Sequence, residues 1–399
     1  MNSTTALLLA GCSAGLLLFA SSRPAEVPFE KYTLDLGANE SCAIADIDGD
    51  KRPDIVSGEN WFANPGSIGG QWKKHTFRSL PYTNNYVDDF SDLILDVNSD
   101  GRPDVISVSW FSRKAAWWEN PGKAGGEWKE HPIDSGSPIE FAFLVDIDND
   151  GKAHELLPQF GQEKTPLAWY EAKDGTFRKH VVSTKSYGHG IGAGDVNGDG
   201  RTDILTPKGW FEAPADPRSS DWKMHEGYPV QNANVKGFPT EHLGFMHVLD
   251  VNKDGRHDVI TSVAHDYGIF WVERGANGTW TKRMIDDSWS QAHAVTVVDL
   301  NGDGEQDILT GKRYMAHNGR DPGEREPLGI YWYQKVKNPD SKQIEWARHV
   351  IDYGTRTGGG MQIPVADLDG DGDLDFAVAG KSGAFVFENK TKSPVRRAR

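Results

Sequence analysis

One short pattern recurs seven times in this chain of 399 residues: Asp-x-[Asp/Asn]-x-Asp, usually followed by Gly, with a further acid close behind. The copies begin at Asp46, Asp96, Asp146, Asp195, Asp250, Asp299 and Asp367, and the fullest runs Asp367, Asp369, Asp371, Asp375 with Gly between. A repeat at this spacing builds one large fold from small units, so it overrides the two or three domains that length alone suggests. Each copy follows an apolar, strand-like segment such as Ala294 to Val298 and precedes another such as Asp307 to Thr310. No helix pattern flanks the loop, which excludes a helix–loop–helix calcium site.

The spacing has a chemical reason. Calcium takes six to eight oxygen ligands, and carboxylates at alternate loop positions turn toward a common centre. The expected ligands are Asp46, Asp48, Asp50 and Asp54; Asp96, Asn98, Asp100 and Asp104; Asp146, Asp148 and Asp150; Asp195, Asn197, Asp199 and Asp203; Asp250, Asn252, Asp254 and Asp258; Asp299, Asn301, Asp303 and Asp307; and Asp367, Asp369, Asp371 and Asp375. The alternative for any single copy is an Asx-rich hairpin turn without metal. Two copies depart from the pattern: Lys51 replaces the Gly of the first, and His154 stands at the ninth position of the third, with Glu155 beside it.

Two further patterns keep the same period. An aromatic residue, two residues and then His precede most loops, as in Trp72 to His75, Trp128 to His131, Phe177 to His180, Trp222 to His225 and Trp346 to His349. An aromatic strand follows most loops, as in Ala116 to Glu119 and Ile330 to Tyr333. Each unit therefore reads as four strands, a to d, over roughly 50 residues, and radial repetition of four-stranded sheets gives an all-β, seven-bladed propeller. The last unit lacks a downstream strand d, and Phe29 to Leu34 fits that place. The N-terminal strand is thus expected to close the ring and remove both sheet edges. The repeat resembles the FG-GAP/VCBS family of propellers, over about residues 27–390. That resemblance implies export and calcium in the Asp loops.

Residues 1–22 read as a secretory leader, with an apolar run from Ala6 to Ala20, and Leu9 to Cys12 resembles a lipoprotein box. This predicts an exported, periplasmic or extracellular protein, with membrane anchoring through Cys12 as an option. No transmembrane span is expected in the mature chain, since the run is too short. Residues 391–399 form a basic tail. The net charge of −15 argues against nucleic acid as a partner. Removing the leader leaves Cys42 as the single cysteine, so metal ions are the natural staple.

The period also separates scaffold from site. His75, His131, His180, His225 and His349 recur at one place in the unit, whereas His189, His242, His247, His265, His293 and His317 follow no repeat. The Asp loops join strands a and b at one end; the unexplained histidines fall at the other end, near long insertions at 226–241 and 314–328. His189 and His293 stand six residues before their loop's first Asp, in one column with Glu40 and Glu140. Equivalent places on a ring converge on its axis, so zinc or another divalent transition metal at His189/His293, with or without a glutamate, is one reading. A solvated channel lining is the other.

The segments Ser290 to Asp303 and Tyr187 to Gly194 resemble the propeller domain of fungal aldos-2-ulose dehydratases, which remove water from keto-sugars. The resemblance implies β-elimination on a keto-sugar or uronate. His189, His293, His247, Arg313 and Lys208 are then the candidate catalytic residues, and His242, His265, Tyr187, Lys312, Tyr314 and Trp210 the candidate substrate contacts. The cupin domains that follow the fungal propeller have no match in this sequence. A non-catalytic propeller that binds carbohydrate or protein, as in adhesion, is the competing expectation.

Overall fold

The computed structural model describes residues 26–122, 126–228 and 242–392. The expected leader with Cys12, the segment 229–241 and most of the expected basic tail lie outside them. Every regular element among the described residues is a strand, and none is a helix long and apolar enough to cross a membrane. Strands such as Asp104–Val108 are buried at every position. A run rich in β-branched residues suits a strand covered on both sides.

Among the described residues the body consists of five four-stranded sheets and one eight-stranded sheet, with a separate two-stranded ribbon. The first unit runs Ala43–Ala45, Asp54–Ser57, Asn60–Ala63 and Lys73–Thr76 as an antiparallel meander. Ser91–Leu95 to Lys129–Ser135 repeats it, as do Ile139–Val145 to Thr176–Ser183 and Ala292–Val298 to Ile344–Tyr353. In the closing sheet Phe29–Asp35 pairs antiparallel with Gly383–Asn389, so the N-terminal strand supplies the outer edge of the sheet that ends the chain. A core cluster containing Cys42, Ile55, Phe62, Leu368 and Val386 packs the first unit against this last one.

The expectation of seven separate blades needs correction between the fourth and fifth Asp loops. Two meanders, Ile191–Gly194 to Lys223–Glu226 and Phe245–Leu249 to Trp280–Ser290, form one sheet, because their first strands pair in parallel from Ile191↔Phe245 to Ala193↔His247. Glycine permits this approach: a Cβ on Gly192 would lie 2.2 Å from the Met246 carbonyl oxygen.

The periodic histidines are structural. Trp61, Trp117, Trp169, Trp210 and Trp332 each face a histidine of the neighbouring outer strand across the sheet, at His75, His131, His180, His225 and His349. The rings stack with centroids 4.2–4.3 Å apart. Trp210 was a candidate sugar contact; it is 6 % exposed and its face is covered by His225, so it belongs to this scaffold.

Candidate functional site

Each inner strand has an Asp loop at one end and the connections between strands b–c and d–a at the other. Ile139–Val145 illustrates the arrangement, with Glu140 near its start and the Asp146 loop after its end. At about 3.3 Å per residue, the two ends are separated by close to 20 Å.

The seven loops share one backbone. Positions four and six are left-handed in every copy, with φ of 60–83° and 70–89° respectively. Lys51 takes φ 70° where the other copies have Gly, so the loop geometry holds even where its preferred residue is missing. In all seven, the position-six N–H donates to the first Asp at 2.8–3.0 Å. The ninth-position acid is buried and accepts the second loop residue's N–H in five units. In the third loop Glu155, one residue later, takes that part and His154 is exposed.

The donor sets suit a cation. Ligand oxygens of Asp46, Asp48 and Asp50, of Asp146, Asp148 and Glu155, and of Asp367, Asp369 and Asp371 lie within 4.8 Å of one another in each set. Asp46 Oδ1 and Asp371 Oδ2 are buried without a hydrogen-bond partner. Burial, reinforced by the loops' own negative charges, pushes Asp54, Glu155, Asp258 and Asp375 up to about 7. It pushes Asp104, Asp203 and Asp307 up to about 6.

At the other end five of the six non-periodic histidines meet. Ligand atoms of Glu140, His189, His265 and His293 all lie within 4.8 Å of one another, and all four residues are buried. His189 Nε2 is 2.8 Å from Glu140 Oε2 and 3.0 Å from His265 Nε2, and His293 Nε2 is 3.9 Å from Glu140 Oε1. The outer ring nitrogens fix the tautomers. His189 Nδ1 donates to the Leu243 carbonyl at 2.7 Å, His265 Nδ1 lies 2.8 Å from Asp321 Oδ2, and His293 Nδ1 faces the Gln291 carbonyl at 3.4 Å. A carbonyl or carboxylate oxygen only accepts, so in each neutral ring Nδ1 holds the proton and Nε2 is a bare electron pair. Three such pairs and a carboxylate then converge, a donor set that favours a cation among them. A proton on His189 would serve Glu140 and His265, but it leaves the fully buried His293 Nε2 without a partner. A metal ion would engage all four groups, and this chain meets the usual pattern of His ligands whose second nitrogen is hydrogen-bonded.

The electrostatics agree. Burial alone would raise Glu140, but the charge and hydrogen bond of His189, with Arg313, hold it well below the usual carboxylate range. Burial, with Arg313 nearby, drives His293 well below the normal imidazole value. Burial also lowers His265 to about 3, against its bond to Asp321, and lowers His242 to about 4 with help from His189. The Asp321 hydrogen bond raises His317.

The other candidate residues divide by position. His242 and His317 border the cluster: the His242 ring centroid is 5.2 Å from that of His189, and the exposed His317 ring stacks 4.2 Å from His265. Tyr314, 38 % exposed, stands on the same loop as His317. Arg313 is buried between Glu140 (2.7 Å) and Glu40 (3.0 Å), which corrects its assignment to a substrate oxyanion: both carboxylates already engage it. Lys312 is fully buried, with Nζ 2.8 Å from Ser290 Oγ, so it is no substrate contact. His247 lies apart, in the wall of an axial cavity of about 440 Å³ beside Phe143 and Val295, and its Nε2 is bonded to the Val295 carbonyl. Lys208 and Tyr187 line a different cavity, of about 630 Å³, with Lys185, Glu163 and Glu226. Sequence reasoning passed over Asp321, although it lies in the insertion flagged at 314–328. It also missed the buried ion network in which Arg78 meets Asp89 and Asp92 at 3.0 and 2.8 Å.

Comparison with known proteins agrees with this architecture. A family model described as FG-GAP-like repeat matches residues 96–153 and 250–310. Integrin alpha pat-2 of Caenorhabditis briggsae is 27 % identical over 272 residues, which is 55 % of this chain and 21 % of that protein. The chain thus spans about a fifth of that relative's length. Among solved structures, the BBS1N chain crystallised in complex with ARL6DN matches with a TM-score of 0.51 and 10 % identity, covering 93 % of this chain and 97 % of that one. Streptogramin B lyase matches with a TM-score of 0.50 and 12 % identity, covering 90 % and 98 %.

Proposed function

We propose that this chain, a propeller of FG-GAP type, is an exported ring of seven units, stapled by calcium in its Asp loops. On the opposite face it carries a mononuclear transition-metal centre of Glu140, His189, His265 and His293 that acts on carbohydrate by β-elimination. The seven-unit reading counts the eight-stranded sheet as two blades, and export is read from the apolar leader. The single observation that supports the metal centre is the convergence of three imidazole electron pairs on one carboxylate, with His293 Nε2 otherwise unpartnered. Calcium in the loops is supported by the unpartnered oxygens of Asp46 and Asp371.

β-Elimination beside a carbonyl needs a base for the α-proton and positive charge for the developing enolate. A divalent metal held by the four ligands would supply that charge as a Lewis acid. The ligand role reassigns His189 and His293, whose inward nitrogens face Glu140 rather than an open cavity. We assign proton acceptance to His242, part-exposed beside His189, and proton donation toward a leaving hydroxyl to the exposed His317. Buried Arg313 ties Glu40 to Glu140 and keeps the centre's carboxylate ionised.

The test is a panel of keto-sugars and uronate polysaccharides incubated with zinc-, manganese- or cobalt-loaded protein. The expected result is ultraviolet absorbance from an unsaturated product, lost in His189→Ala and His293→Ala. Silence across the panel, with both variants binding ligand as the wild type does, overturns the lyase reading. It would leave the binding propeller that the integrin-type likeness favours.

A further inference from the structure

We infer that Asp321 is the positioning residue of the metal centre: its carboxylate selects the tautomer of His265 and couples loop 314–328 to metal occupancy. The inference rests on the proposed centre and concerns a residue outside its four ligands.

Asp321 is a fork. One oxygen lies 2.8 Å from His265 Nδ1 and the other 2.8 Å from His317 Nδ1. Its side chain is 4 % exposed, and the two imidazoles it holds are stacked with an interplanar angle of 11°. A neutral imidazole carries one N–H. If Asp321 takes it at Nδ1, Nε2 of His265 must present its electron pair to His189, Glu140 and His293. Without that acceptor the two tautomers of His265 become comparable, and the wrong one aims an N–H at the ligand point. The sequence around Asp321 serves its placement. Glu324, 1 % exposed, accepts the backbone N–H of Asp321 at 3.3 Å and that of His317, which fixes the turn. Lys381 Nζ donates to the Met315 carbonyl at 2.7 Å, and Asn318 Nδ2 to the Asn84 carbonyl at 3.3 Å. The loop is therefore anchored to two other units before it reaches His265. Hydrogen-bond partners of this kind typically change metal affinity by about 10–100-fold when removed.

The experiment uses the full chain, stripped of metal and titrated with cobalt(II), whose visible spectrum reports ligand geometry, with zinc competition for affinity. Asp321→Ala should weaken binding roughly 10–100-fold and alter the cobalt spectrum. The isosteric Asp321→Asn, whose amide oxygen still accepts from Nδ1, should recover most of the affinity. His317→Ala keeps the Asp321–His265 bond and should bind cobalt with the wild-type spectrum. If the wild type binds cobalt and Asp321→Ala binds it with unchanged affinity and spectrum, this inference fails while the centre stands. If the wild type binds no transition metal, both fail. Two cobalt ions per chain, one of them lost in His317→Ala, would make Asp321 and His317 ligands of a second ion and overturn the positioning role.

Discussion

The two ends of the inner strands use carboxylates in opposite ways. At the loop end, acids recur in every unit, the leading ones near the surface and the closing one buried, and are drawn in by the N–H groups of their own loop. At the other end, one glutamate is buried among imidazoles that no repeat rule produces, and its oxygens are met by side chains from other units. Repetition around a ring means that each unit needs the feature in order to fold. A feature that breaks the repetition answers to something the fold does not require, and here the break gathers metal-ligand chemistry at one point. The same contrast divides the histidines: five stack on tryptophans at a fixed place in the unit, while His189, His265 and His293 meet at Glu140 with His242 and His317 beside them.

If the loop acids are a staple, removing calcium should produce the largest effect on the molecule. A ligand present at a hundred times its Kd stabilises by about 2.7 kcal/mol per site. Chelation with EGTA should therefore lower the melting temperature strongly, and calcium rather than magnesium should restore it. An unchanged melting curve would reduce the loops to turns.

The same staple predicts a pH signature. In the calcium-free protein the buried acids that close the loops, Glu155 in the third and the ninth-position Asp in the others, have folded pKa values raised to about 6 or 7. Between pH 4 and 7 the folded state then binds more protons than the unfolded one, so stability must fall as pH rises through that window. Calcium should abolish the slope, because ionised acids are the form it binds. Denaturant melts at several pH values, with and without calcium, check the sign.

Glu140→Gln sharpens the comparison from the other side. It breaks a buried ion pair with Arg313, a loss that typically costs about 3–5 kcal/mol. It should also abolish transition-metal binding while leaving the calcium content unchanged. Urea unfolding with metal analysis of the same sample reads both.

Smaller effects test the scaffold. His131→Ala removes a stack on Trp117, worth about 0.5–1.5 kcal/mol, and should alter neither metal. Lys51→Gly relieves a left-handed non-glycine backbone, a strain of about 1–2 kcal/mol that glycine's greater unfolded-state entropy partly offsets. A small rise in melting temperature is expected.

Much of this was legible in the sequence wherever the period reached. The Asp loops marked the ends of the inner strands, the orphan strand at Phe29 pointed to closure, and the column six residues before each loop named Glu140, His189 and His293. Residues outside that column were harder to place. His265 and Asp321 stand on connections of unequal length, which no period aligns, so His265 could be singled out but not given its role. Trp210 and Lys312 had suitable chemistry, but a period cannot say what covers a ring or an ammonium group. Nor could it show that the glycines around Gly192 let two inner strands approach until they pair.

The most direct test of the account is elemental analysis of the full chain after loading with zinc in excess calcium, which keeps zinc off the Asp loops, and gel filtration into chelator-free buffer containing calcium, for wild type and His293→Ala. One transition-metal ion per chain in the wild type and none in the variant is the predicted result. A wild type that retains none, or a variant that retains as much as the wild type, would contradict a metal centre on the face opposite the Asp loops.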